Sequence, residues 1–587
     1  MEREKFKVDL RGIVDILGHH LYSSEQVYLR ELVQNASDAI NARTRLDPQF
    51  SGGAVHITSA TDDQPMTVRD NGVGLTQPQV HELMATVGGS SKRNDVTATR
   101  EKFLGQFGIG ILSAFLVADH IEVRTRSALT ADAQTVAFSG HADGTYAVSV
   151  AEEPLEAPGT EVRIHPRPPD RHWCEKDAVP DIVARTAGLM RLNVHVDGVL
   201  LSGQPRPWEM TIEDQIAWCR REFGFDAMGI VPLQAKSQDV IGVCFVLPYT
   251  AAPGHRTGDR IYSRGLLVAD SETQLLPGWA FFCRAVLDAG SLPLTASREQ
   301  LQESLTLHAV RDHLGYEILR ELVLVHDRAP AVYGDILRLH SSGMKALAAT
   351  STDMRDLVRS TMHYPTSQGP RTLDELVTAG GEIAYVDDTE RYQAMRDIAF
   401  HSDILVVCAD DPYDPDLLTR VSQDSDRATF RRVDDEAIFA FTTPADGEDR
   451  ARADELAERA QTLLANGLSV HVQSFGPSER LALWWPTAAG PHTAEVVLNA
   501  SNPLIRALLE HSLAPSLEQH AIHAAHLIGM LQGANPLTLS QSTQLARSVQ
   551  ALATHPALSA SAQDQGVREP GSAVDEARTG TGRGPRE

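Results

Sequence analysis

The chain has 587 residues, 42% hydrophobic and 22% charged, with a formal net charge of -25. One core does not support that length, so roughly three or four domains are expected. So acidic a protein is poorly suited to a sequence-independent grip on nucleic acid, which needs clustered Lys and Arg to displace counterions. No run of ~18 apolar residues occurs, and the first residues, MEREKFKVDL, lack an apolar h-region, so neither a membrane span nor a secretory signal is read and a cytoplasmic protein is expected.

Cys174, Cys219, Cys244, Cys283 and Cys408 show no CxxC spacing, which fits reduced core thiols better than a zinc site or a disulfide framework. Phe6 to Leu21 reads as a short helix, and its His19 and His20 are assigned no role. Glu25 to Arg43 reads as one amphipathic helix. Leu29, Val33, Ala36 and Ile40 form an apolar stripe, and Glu31, Asn35 and Asp38 gather on the other face. That second face is unusual for a solvated one, since Asn, Ser and Asp compete for backbone hydrogen bonds in mid-helix. A solvated polar face and a binding face both remain open at this point.

A turn at Asp47 and Pro48 leads to two alternating runs, Ala54 to Ser59 and Met66 to Arg69, which read as a β-hairpin around residues 61 to 65. The second run ends in Asp70-Asn71-Gly72-Val73-Gly74. Glycines straight after a strand let the backbone approach a flat ligand, and an Asp there can accept from an exocyclic amine. A plain loop turn explains the same residues. A polar segment, Thr86 to Lys102, then runs into Phe103-Leu104-Gly105-Gln106-Phe107-Gly108-Ile109-Gly110 and an apolar helix expected from Ile111 to Ala118. A Gly-rich loop feeding a helix N-terminus offers free N–H groups to a polyphosphate, with the polar stretch as a lid; a flexible loop with a hinge is the alternative. Ile121 to Arg167 alternates as strands, and Gly159-Thr160 opens the run Glu161 to Ile164.

These four pieces, in this order, resemble the nucleotide-binding motifs of the ATPase superfamily shared by gyrase, heat-shock protein 90, histidine kinases and MutL (GHKL). In detail YLRELVQNASDAINAR, VRDNGVGLT, FLGQFGIGILSAFLVAD and GTEVRIHPRP are similar to the heat-shock protein 90 family in its bacterial form, over about 160 residues. The resemblance implies ATP and Mg2+ as ligands. It makes Glu31 the general base, Asn35 the Mg2+ ligand, and Asp70 the acceptor of the adenine amino group, supported by Thr160. It puts Asp38 and Gly74 in the pocket wall and makes Gly105, Gly108 and Gly110 the phosphate cradle and lid hinge. The sequence departs from the family where Gly89 stands for a lysine, Leu83 for an asparagine and Ile111 for an aromatic residue, and its lid is short.

Residues 168 to 230, with Pro168, Pro169, Pro205 and Pro207, read as a linker and the first helices of a second domain. Gly242 to Pro248 and Arg260 to Asp270 read as strand-like runs ahead of Leu275 to Ala289. The segment Leu292 to Glu303 resembles the family's catalytic loop, which implies that Arg298 reaches the γ-phosphate with Gln302 nearby. A helix start capped by Ser297, with Arg298 solvated, is the alternative. Residues 305 to 362 read as long helices, followed by a small α/β unit with strands at Glu382 to Val386 and Asp403 to Val407. Asp387, Asp388, Asp410, Asp411 and Asp414 read as turn and N-cap residues there. Strands are expected at Ala437 to Thr442, Ser469 to Ser474 and Ala494 to Leu498, and helices at Arg450 to Ala465, Leu504 to Leu513 and Gln519 to Leu531. From Ser559 composition predicts a disordered tail.

The expected architecture is an α+β multidomain protein. It comprises an N-terminal GHKL-type α/β sandwich ATPase domain (1–168), an α/β middle domain (169–430), a smaller mixed α/β dimerisation domain (431–556) and a tail (557–587). The resemblance implies an ATP-driven chaperone, homodimeric through its C-terminal region and acting on client proteins, with neither nucleic acid nor membrane as partner. A DNA-processing ATPase of the MutL or gyrase kind and a nucleotide-gated scaffold without appreciable hydrolysis are the alternatives.

Overall fold

The computed structural model describes residues 24–84, 110–130, 133–143, 145–256, 258–295, 297–434, 437–464, 467–487, 493–533 and 535–554. The expected helix Phe6–Leu21, the lid stretch with Gly89, the loop residues Gly105 and Gly108, and the tail lie outside them. The chain is a mixed α+β multidomain protein that forms two compact units, residues 1–357 and 358–587.

The first unit is built on helix α1 (Val27–Leu46). Leu29, Val33, Ala36 and Ile40 are all buried, as their spacing predicts, and Arg43 and Arg45 in the last turn complement the helix dipole. The apolar stripe packs on a sheet made of β1 (Ala54–Thr58), β2 (Met66–Asp70), β3 (Ala118–Arg126), β4 (Val136–His141), β5 (Tyr146–Val150), β6 (Gly159–Pro166), β7 (Asn193–Val196) and β8 (Val199–Leu200). The strand order is β5-β4-β3-β6-β2-β1-β7-β8. β1 and β2 form the expected hairpin, with Val55 opposite Asp70. Strands β3 and β6 alternate, sending Ile121, Val123, Val162 and Ile164 into the core shared with α1.

Three readings of this unit are corrected. Residues 168–200 are not a linker: β7 pairs in parallel with β1, Val55 opposite Val194, and the helix Val179–Ala187 buries Val179, Ile182 and Val183 in the same core. The run Arg260 to Asp270 is not one strand but a hairpin of two, Asp259–Ser263 and Leu266–Glu272. The helix expected at Ile111 to Ala118 is a 3-10 helix, Gly110–Leu116, because β3 already begins at Ala118 and leaves it only a short span.

A second sheet contains β9 (Ile230–Ala235), β10 (Val240–Val246), β11 (Asp259–Ser263), β12 (Leu266–Glu272) and β13 (Cys283–Ala289), in the order β12-β11-β13-β10-β9. Arg264 and Gly265 turn β11 into β12 with φ of 53° and 81°, the backbone of a tight two-residue hairpin. The Asp288 carboxylate accepts both turn amides, at 2.8 and 2.7 Å. The long helix Leu305–Arg328 follows, capped by Ser304, whose hydroxyl accepts from the Leu307 amide.

In the second unit a short ribbon, β14 (His363–Tyr364) with β15 (Arg371–Thr372), precedes a parallel sheet of β16 (Gly381–Val386), β17 (Val406–Cys408) and β18 (Ala428–Arg432). Asp388 caps the helix Thr389–His401 by accepting from the Arg391 amide, and buried Asp414 accepts from the Tyr364 hydroxyl at 2.9 Å. A four-stranded sheet follows, from β19 (Thr443–Pro444), β20 (Leu468–Ser474), β21 (Ala482–Pro486) and β22 (Ala494–Asn499). The two sheets share one core, in which Val386, Met395 and Ile398 pack with Leu483, Trp485 and Val497. Residues 437–441 form a 3-10 helix rather than the expected strand, and the three-residue spacing of Ile438 and Phe441 buries both on one face. Among the described residues, no helix is long and apolar enough to cross a membrane.

Candidate active site

The site grows from the polar face of α1. Glu31 is buried, only 3% exposed, which is costly for a carboxylate without cationic partners. It has two. The Arg30 guanidinium lies 3.3 Å from Oε1, and that of Arg298, 267 residues away in sequence, lies 3.4 Å from Oε2. Arg298 sits on a tight loop rather than a helix start. Leu294 bridges Leu301, the Thr295 amide donates to the Gln300 carbonyl at 2.9 Å, and Arg298 itself has φ of 56°. A non-glycine residue held at positive φ stores strain that the surroundings must offset. Arg30 supplies part of that hold by donating to the Ser297 carbonyl at 2.9 Å. Gln302 is on the returning arm, its amide donating to the Pro293 carbonyl at 2.8 Å and its side chain exposed.

One and two turns along α1, Asn35 and Asp38 are half-buried. Asn35 has no side-chain hydrogen-bond partner among the described residues, and Asp38 accepts from Gln34 at 3.3 Å. Burial raises the Asp38 pKa, and the Arg298 charge opposes that rise.

Asp70 ends β2 opposite Thr160 of β6. Burial pushes its pKa up to about 7, although the Gly72 amide, 2.7 Å away, and the Thr160 amide both favour the carboxylate. The loop after it leaves no room for side chains. A Cβ on Gly72 would lie 2.6 Å from Ala39 of α1, and one on Gly74, at φ of 59°, would lie 1.9 Å from the Arg126 carbonyl oxygen. Two residues that the motif reading missed brace this loop. Arg43 donates to the Asn71 carbonyl at 2.7 Å, while the Thr125 hydroxyl accepts from the Leu75 amide at 2.9 Å and lies 3.0 Å from the Thr160 hydroxyl. Arg43 was visible as the last residue of the helix motif, whereas nothing in the sequence marked Thr125. Gly110 opens the 3-10 helix, and Ile111 packs half-buried against the core.

The structure therefore gathers Glu31 with Arg298, and Asp70 with Gly74 and Thr160, at two points along one helix. Two stretches of the chain match profiles of known proteins. Residues 22–162 match the profile described as histidine kinase-, DNA gyrase B-, and HSP90-like ATPase, and residues 253–395, which carry the Arg298 loop, match that of the Hsp90 protein. Both stretches are thus similar to the heat-shock protein 90 family. It is 26% identical over 533 residues to the chaperone protein HtpG of Nitratidesulfovibrio vulgaris, covering 81% of this chain and 82% of that one. It is 24% identical over 400 residues to the mitochondrial heat shock protein 75 kDa of Rattus norvegicus, covering 63% and 56%. A third relative, the HtpG of Idiomarina loihiensis, is 27% identical over 372 residues, 55% and 58% of the two chains. The match thus spans little more than half the length of the rat and Idiomarina relatives. The region that matches the ATPase profile is the GHKL-type sandwich of α1 on the eight-stranded sheet.

Proposed function

We propose that the protein is an ATP-dependent molecular chaperone, hydrolysing ATP in the site on α1 and working as a homodimeric clamp on partly folded client proteins in the cytoplasm. The observation that carries this reading is the meeting of Glu31 and Arg298 within 3.4 Å, beside a strand-end pocket of Asp70, Gly74 and Thr160. Phosphoryl transfer to water asks the protein for a positioned base, a cation at the γ-phosphate and donors around it. Glu31 takes the proton of the attacking water, and Arg298 meets the negative charge that develops, with Gln302 at the edge of the same loop. Asp70 accepts the adenine amino group with Thr160 beside it, and Asp38 and Gly74 line that end. Gly105, Gly108 and Gly110 cradle the phosphates.

The donors fit a magnesium nucleotide. Asn35, with no side-chain partner among the described residues and on the face that carries Glu31, would hold Mg2+, which would supply positive charge against the phosphates. Functionally we assign nucleotide binding to 1–168, completion of the site to 169–430, and dimerisation to 431–556. The Hsp90 match around the Arg298 loop counts against a DNA-processing ATPase, as does the net charge of -25.

The deciding measurement is steady-state ATP turnover with Mg2+. Glu31→Ala should lower it by roughly 10² or more while leaving ATP binding intact. Equal turnover in the two proteins would replace the enzyme reading with that of a nucleotide-gated scaffold.

A further inference from the structure

The outer face of the N-terminal sheet carries a group of side chains that the nucleotide site does not use. Along β3, Ile121 and Val123 point into the core, so His120 and Glu122 stand on the opposite face from α1. The register sets His120 directly between His141 of β4 and His165 of β6. The three rings stack across the strands, with centroids 4.4 and 4.6 Å apart. Glu122 reaches back toward this row. Its Oε1 lies 3.5 Å from Nε2 of His165 and 4.0 Å from Nε2 of His120. One donor atom each from His120, Glu122 and His165 can be chosen so that all lie within 4.8 Å of one another.

Nε2 of His165 is buried and has no hydrogen-bond partner among the described residues. A buried imidazole nitrogen whose polar neighbour, Glu122 Oε1, stands at 3.5 Å is poorly satisfied, so a cation taken up between them would be stabilising. His120 is held by the Ser139 hydroxyl at 2.9 Å, and Arg163 stands 4.0 Å from the other oxygen of Glu122.

We propose that His120, Glu122 and His165 form a binding site for a late first-row divalent cation, of which Zn2+ is the type. Two imidazole nitrogens and one carboxylate oxygen are the donor set of an open zinc site, in which solvent completes the coordination. Metal–ligand bonds of about 2.0–2.2 Å bring neighbouring donors roughly 3–3.5 Å apart, so small side-chain rotations close the present separations. Mg2+ and Ca2+ prefer all-oxygen shells, which keeps this site distinct in chemistry from the nucleotide's Mg2+. The bound ion would tie β3 to β6 on the face away from α1.

The test is calorimetric titration of the metal-stripped full-length chain with Zn2+ in excess Mg2+, with Co2+ absorption spectra as a second readout. The wild type should take up about one Zn2+ at micromolar or tighter affinity, and Co2+ should give the visible bands of a low-coordinate nitrogen and oxygen site. His120→Ala with His165→Ala should abolish both signals, and Glu122→Gln, nearly isosteric and usable should the double variant misfold, should weaken binding at least about 10-fold. His141→Ala removes a ring from the stack but no donor, and His520→Ala with His523→Ala removes a histidine pair from the helix Pro515–Gln532 of the second unit; both should keep the affinity. No uptake by the wild type would overturn the proposal. So would unchanged affinity in Glu122→Gln and the double histidine variant, or a loss in His141→Ala as large as theirs.

Discussion

At the scale of single residues, the site depends on charges held out of water. Removing Arg298 leaves the buried Glu31 with Arg30 alone, so Arg298→Ala should cut ATP turnover by ~10³ or more, with nucleotide affinity changing far less, as single-turnover and binding measurements would separate. Asp70 makes a prediction in pH. Its folded pKa of about 7 exceeds its ordinary value, so between about pH 4 and 7 the folded state keeps a proton that the unfolded state has released. That contribution to stability is complete at low pH and is lost as pH rises through 7. Asp70→Asn lacks it. Denaturant melts of the nucleotide-free proteins should therefore show the variant gaining on wild type by roughly 1–3 kcal/mol from pH 4 to 8, and parallel curves would refute the assignment of the proton to Asp70.

At the scale of elements, α1 both packs and positions. The helix was legible in the sequence because its stripe repeats every turn and its polar face is chemically odd, and the Asp70 loop was legible because its glycines follow a strand. Other pieces were not. The parallel pairing of β7 with β1 joins residues about 140 positions apart, and local composition, rich in proline nearby, carries no trace of it. The run Ala437 to Phe441 is too short and too uniformly apolar for periodicity to choose between strand and helix. The resemblance implied only that Arg298 reaches the γ-phosphate; its ion pair with Glu31 is announced by neither residue's neighbours in sequence. Gly74→Ala should destabilise the first unit by roughly 2–4 kcal/mol, since its Cβ collides with the Arg126 carbonyl and the backbone there is left-handed. Arg30→Ala should loosen the loop from Leu292 to Glu303, seen as faster amide exchange there, and lower turnover less than Arg298→Ala does.

At the scale of the whole molecule, the first compact unit ends at residue 357, so a chain ending there should fold, melt cooperatively and bind ATP. If dimerisation lies in the second unit, its turnover should fall well below that of the full chain. A chain ending near 440 should behave worse, being prone to proteolysis after residue 358, because it discards Leu483, Trp485 and Val497 from the core that covers Val386, Met395 and Ile398. The ion pair of Glu31 and Arg298 also bears on how the protein is made. It joins residues 267 apart, and such contacts form late, after the intervening loops have paid their closure entropy. A nascent chain that has emerged only as far as β8 can assemble the Asp70 pocket but has no Arg298 loop to set against Glu31. On the proposed function, nucleotide would then be captured during synthesis without being spent, and turnover would begin only once the second sheet has folded.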